Sequence, residues 1–118
     1  MMRSLLAAAL GSLAFGSLAS AAPAGPPGPP LLVIHHHVAD YAKWRPAYDA
    51  DQPARDAAGL SNCQVRSTVD DPNEVFVACQ VADIQKAKAF TTTSRLADAM
   101  QAAGVIGKPE VYLLTPDR

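Results

Sequence analysis

Asn62 to Val81 reads NCQVRSTVDDPNEVFVACQV, two alternating runs separated by a polar turn, and the architecture rests on it. Cys63, Val65 and Val69 fall on one face with Gln64, Arg66 and Thr68 on the other; then Val75, Val77, Cys79 and Val81 fall together, opposite Phe76, Ala78 and Gln80. A period of two is that of a half-buried strand. Between the two runs, Asp70-Asp71-Pro72-Asn73-Glu74 is dense in turn formers, so Asn62 to Val69 and Val75 to Val81 pair as a β-hairpin with one dry face.

On the N-terminal side of the hairpin, Leu31 to Val38 (LLVIHHHV) is a β-branched and aliphatic run with apolar residues on both faces, as in a central strand. Asp40 caps the next element. Tyr41 to Ala58 is helical by spacing, with Trp44, Ala47, Tyr48, Ala54 and Ala58 on a broad apolar side. Pro46 is read as opening the main helix after a preliminary turn from Tyr41 to Arg45, and Gly59 as ending it. Past the hairpin, Asp83 caps a helix carrying Ile84, Ala87 and Phe90. The Thr91 to Ser94 run interrupts it, and Leu96, Met100 and Ala103 mark a second helical stretch before Gly104. Pro109 to Leu114 is the last strand. The order β-α-β-β-α-β is the split βαβ arrangement of an α+β, ferredoxin-like fold: one antiparallel sheet with helices on one face.

The chain has 118 residues and a formal net charge of −1, so it has no basic stripe to hold a phosphate backbone, and nucleic acid is not an expected partner. Met1-Met2-Arg3, an uncharged Leu/Ala-rich run from Ser4 to Leu18, and Ala19-Ser20-Ala21 have the three parts of a secretory signal peptide, residues 1–21, with cleavage expected before Ala22. The apolar run is too short to span a bilayer, so no stable membrane insertion is expected after cleavage. Ala22 to Pro30 (APAGPPGPP) is read as an extended leader, because its prolines lack the N–H and its glycines favour disorder. Residues 31–118 form the single folded domain.

With the valine-rich faces turned to the helices, the other sheet face carries Gln64, Arg66, Thr68, Phe76, Ala78 and Gln80, too mixed for a core and too aromatic for a plain wet surface. A second copy packed on it by two-fold symmetry would close a barrel around a polar-lined cavity, so a homodimer is expected. The alternative is a monomer with this face wet.

His36-x-Val38-x-Asp40-Tyr41-x-x-Trp44, the Asp70 to Val75 turn, and Gly104-Val105 ahead of Pro109-Glu110-Val111 together resemble the dimeric α/β-barrel superfamily. More narrowly, they are similar to small proteins labelled cyclase that are related to antibiotic biosynthesis monooxygenases. The resemblance covers nearly all of Leu31 to Leu114. It implies a protein that binds a small organic ligand, aromatic or polyketide-like, and could oxidise or cyclise it without a bound cofactor; with the signal peptide, the expected protein is exported, periplasmic or secreted. A non-catalytic ligand-binding or stress-related module of the same fold is the alternative. The sequence departs from those relatives at Gln80, where an acid is common, and at His35, where a base is common.

Within that frame, His36 matches the family motif and is the candidate general base, against a structural histidine near a strand end. Arg66 is the candidate stabiliser of anionic oxygen, against a cross-strand partner for Gln80 or Glu110. Trp44 and Tyr48, at i and i+4, are candidate ligand contacts or plain core, and Gln80 and Tyr112 are further candidate contacts. His35 and His37 point one way and His36 the other. Two imidazoles at i and i+2 can share a metal, but no other His exists and no spaced motif offers the remaining ligands, so no metal is expected.

Cys63 and Cys79 are the only cysteines, both on the valine side of the hairpin. A register in which Val69 faces Asn73 sets them directly opposite, within bridging distance. One in which Val69 faces Val75 makes them diagonal, too far to bridge without backbone movement. Both fit the turn.

Overall fold

The elements are β1 (Leu31–Val38), α1 (Tyr41–Ala50), α2 (Gln52–Ala57), β2 (Leu60–Ser67), β3 (Glu74–Val81), α3 (Ile84–Thr91), α4 (Ser94–Ala102) and β4 (Val105–Leu114), in a computed structural model that describes residues 28–117. The expected signal peptide, residues 1–21, and most of the leader lie outside the described residues. The four strands form one antiparallel sheet in the order β2-β3-β1-β4, the ferredoxin-like arrangement, with the helices on one face. Leu32, Ile34, Trp44, Leu60, Val75, Val77, Cys79 and Val81 are buried between sheet and helices. Among the described residues, no helix is long and apolar enough to cross a membrane.

Three boundaries differ from the reading of the sequence, each for a local reason. Pro46 lies inside α1 instead of opening a helix, and the break comes at Asp51, where Pro53 in the first turn of α2 has no N–H to carry the ladder on. The second strand runs over Leu60–Ser67, not Asn62 to Val69. A bulge between Ser61 and Gln64, with Asn62 at φ 49°, lets Leu60 and Cys63 face the same side despite their odd spacing, which hid Leu60 from a period-two reading. Val69 is consequently not on the dry face; it sits fully exposed in the turn. The last strand begins at Val105, not Pro109. Its pairing with β1 shifts register between His35 and His37, where Gly107 at φ 73° and Pro109 interrupt the alternation.

The hairpin has Val65 opposite Val77 and Arg66 opposite Phe76. This is the register that opposes the two cysteines, and Cys63 and Cys79 form a disulfide with their Cα atoms 4.0 Å apart. The turn also fixes α1. Asn73 Oδ1 accepts from the Tyr41 N–H at 2.8 Å and Asp40 Oδ1 from the Ala42 N–H at 2.9 Å, so two side chains cap the helix that carries Trp44.

Candidate functional site

His36 lies directly opposite Val75 in the β1–β3 ladder, whereas Arg66 lies opposite Phe76. Successive residues of a strand face opposite sides, so His36 and Arg66 are on opposite faces of the sheet. The base and anion stabiliser expected to work together cannot meet. Trp44 and Tyr48 join His36 on the helix side, while Gln80 and Tyr112 stand with Arg66 on the open face, each engaged locally. Arg66 donates to Gln64 Oε1 and to the Val65 carbonyl, both at 2.9 Å, Gln80 accepts from Asn62 Nδ2, and the Tyr112 hydroxyl donates to Glu110 Oε2.

The helix-side cavity is walled by Leu32, Ile34 and His36 of β1, by Trp44 and Tyr48 of α1, and by Arg55 of α2, and is closed by α4 through Leu96 and Met100. Its polar side chains form a continuous stack. The His36 ring meets Trp44 edge-on at 5.5 Å, Trp44 stacks on Tyr48 at 4.9 Å, and the Arg55 guanidinium lies 3.7 Å over the Tyr48 ring. Arg55 is 5% exposed, and its Nη1 donates to the Tyr48 carbonyl at 2.8 Å and its Nη2 to Gln52 Oε1 at 3.1 Å.

Four buried atoms here lack a partner among the described residues: both ring nitrogens of His36, the Tyr48 hydroxyl and Arg55 Nε. Buried polar atoms are normally paired, so these are groups able to bond to a polar guest in the cavity. Burial, and then the charges of His35 and His37, depress the His36 pKa to about 4, so the imidazole is uncharged at neutral pH. Burial also raises the Tyr48 pKa, keeping its hydroxyl a donor. Arg55 was missed in the sequence because it belongs to a six-residue helix too short to show a period, and an arginine there reads as solvent-facing.

The cavity holds about 60 Å³, well short of the ~300 Å³ at which pockets for drug-sized ligands begin. Leu96 and Met100 also line a groove of about 470 Å³ between α4 and β4. These two side chains are the partition between the spaces, and a methionine repacks readily. On α4, Arg95 makes a two-pronged pair with Asp51, at 3.0 and 2.9 Å, which ties that helix to the α1–α2 junction.

On the open face the histidines do find a carboxylate. His37 lies opposite Glu74 in the ladder, and Glu74 Oε2 is 3.5 Å from His35 Nε2 and 3.3 Å from His37 Nε2. The sequence offered no spacing for this because the partner comes from the neighbouring strand.

The same architecture occurs in solved structures. A putative antibiotic biosynthesis monooxygenase from Bordetella bronchiseptica superposes with a TM-score of 0.61 at 11% identity, over 73% of this chain and 94% of that one. The fold is that of the antibiotic biosynthesis monooxygenase-like proteins. SnoaB, a cofactor-independent oxygenase from Streptomyces nogalater, matches with a TM-score of 0.54 at 14% identity, over 72% of this chain and 91% of its own. The ActVA-Orf6 monooxygenase of Streptomyces coelicolor, solved in complex with nanaomycin D, matches with a TM-score of 0.53 at 16% identity, over 77% and 89%. No protein-family model and no curated protein matches the sequence. At these identities the likeness is one of fold.

Proposed function

We propose that the protein binds a small enolic or phenolic molecule in the helix-side cavity and activates it by deprotonation, as a cofactor-independent oxygenase or cyclase. The observation that carries this reading is the set of orphaned polar atoms of His36, Tyr48 and Arg55 around one apolar cavity. His36 takes the ligand's acidic proton, the anion formed beside it offsetting the burial that otherwise keeps the imidazole uncharged, while Arg55 holds the anionic oxygen and the Tyr48 hydroxyl orients it. An electron-rich enolate or phenolate is the form that reacts with dioxygen or closes a ring. The ligand gains room when Leu96 and Met100 swing aside and join the cavity to the groove. The likeness to SnoaB and ActVA-Orf6 supports the reaction class.

The reading includes export and self-association. The signal-like residues 1–21 and the Cys63–Cys79 bridge both favour an oxidising compartment outside the cytoplasm, and the N-terminus of the exported protein is expected at Ala22. The open sheet face exposes Phe76, Tyr112 and Leu114, a surface suited to a second copy.

Trp44 is the only tryptophan and forms the cavity wall, so its fluorescence reports occupancy. Titration with small enolic and phenolic aromatics is expected to quench it, with oxygen uptake or product formation that falls ~10²–10⁴-fold in His36→Gln. Quenching without turnover would leave a ligand-binding module. Failure of every such compound to quench Trp44 would remove the cavity as the site.

A further inference from the structure

The open-face cluster of His35, His37 and Glu74 is separate from the cavity, and nothing in the proposed reaction uses it. Its three ligating atoms all lie within 4.8 Å of one another. The separations from Glu74 Oε2 to the two Nε2 atoms, 3.5 and 3.3 Å, are close to the ~3.3 Å between ligands that hold Zn²⁺ tetrahedrally with bonds of ~2.0–2.1 Å. His35 Nδ1 lies 2.6 Å from Glu110 Oε1. A carboxylate is an acceptor only, so in the neutral imidazole, the form that ligates a metal, Nδ1 carries the proton and Nε2, the atom that points to Glu74, carries the lone pair. That Nε2 is buried and has no hydrogen-bond partner among the described residues.

The supporting contacts are those of a metal-ligating histidine. Glu110 is the carboxylate that fixes the tautomer, and it is itself bonded to the Tyr112 hydroxyl at 3.2 Å. The hydrogen bond from His35 holds its carboxyl below the usual carboxylate range. Phe76 stacks flat on the His35 ring, 4.2 Å between centroids, and restricts its rotation. His37 is half exposed in the single chain, leaving a side on which a further ligand could approach.

We propose that His35 Nε2, His37 Nε2 and Glu74 Oε2 bind a divalent transition ion of the Zn²⁺ class on the open face of the sheet. Three protein ligands from β1 and β3 leave a fourth position for water or a small anion. Two imidazoles with a carboxylate suit Zn²⁺ or Co²⁺ and disfavour Mg²⁺ and Ca²⁺, which take oxygen. The site is independent of the cavity chemistry.

The test uses untagged protein, stripped with a chelator and titrated with Zn²⁺ against a chromophoric competitor, and with Co²⁺ as a spectroscopic probe. The expected result is a single ion per chain, with the intense visible bands of tetrahedral Co²⁺. Glu110→Gln is expected to weaken binding ~10–100-fold, and His37→Ala and Glu74→Gln to weaken it further. His37→Ala changes a half-exposed side chain, so loss of binding with an unchanged circular dichroism spectrum reports the ligand and not the fold. Absence of stoichiometric binding by the wild type, or wild-type affinity in both His37→Ala and Glu74→Gln, would overturn the proposal.

Discussion

Three consecutive histidines take two different environments because a strand sends neighbours to opposite faces. His36 is buried beside Trp44 with no hydrogen-bond partner among the described residues, whereas His35 and His37 stand among carboxylates. The consequence for His36 is an acid-labile fold. Its folded pKa of about 4 lies below the ordinary 6.5, so between these values the unfolded chain binds a proton that the folded chain refuses. Stability from this group is complete above pH 6.5 and is lost as pH falls toward 4, by on the order of 3 kcal/mol. Denaturant unfolding of chelator-treated protein from pH 7 to 4.5 is expected to show this slope. His36→Gln is expected to flatten it, and an unchanged slope would mean that other groups carry the acid sensitivity.

At the level of secondary-structure elements, the hairpin does most to organise the site. Its turn caps α1 through Asn73, its β3 strand supplies Val77 and Cys79 to the cavity wall, and its bridge staples β2 to β3. The cysteines are 16 residues apart, and closing a loop of that length is worth ~3 kcal/mol. Reduction is therefore expected to lower the denaturation midpoint by a corresponding amount. Intact mass after alkylation of unfolded, unreduced protein is expected to show no added label, and two labels would rule the bridge out. Trp44 anchors α1, and Trp44→Ala is expected to cost ~3–5 kcal/mol, read as a loss of thermal midpoint.

Across the molecule, a single four-stranded layer covered on one face by helices leaves the other face to be explained. That face combines Phe76, Tyr112 and Leu114 with Arg66, Gln64 and the His–Glu cluster. In the proposed dimer it is the contact surface. Phe76→Lys, placing a charge at its centre, is expected to shift sedimentation from dimer to monomer, and an unchanged dimer would move the interface elsewhere.

Residues 62–81 and the capped runs on either side determined the element order, the handing of valines to one face and the ferredoxin-like topology, because strand and helix periods and turn chemistry are local properties. The local signal also left the pairing of Cys63 with Cys79 as one of two registers, and only the assembled ladder, with its bulge at Asn62, chose between them. The proposed site is legible only in part. The sequence puts forward His36, Trp44 and Tyr48, but the arginine that lines a cavity with them is Arg55 and not Arg66, because which residues share a cavity depends on helices packing over a sheet. Glu74 was likewise invisible as a partner of His35 and His37. A carboxylate more than thirty-five residues along the chain becomes a neighbour only when β1 and β3 pair, and that juxtaposition is a fact of tertiary structure.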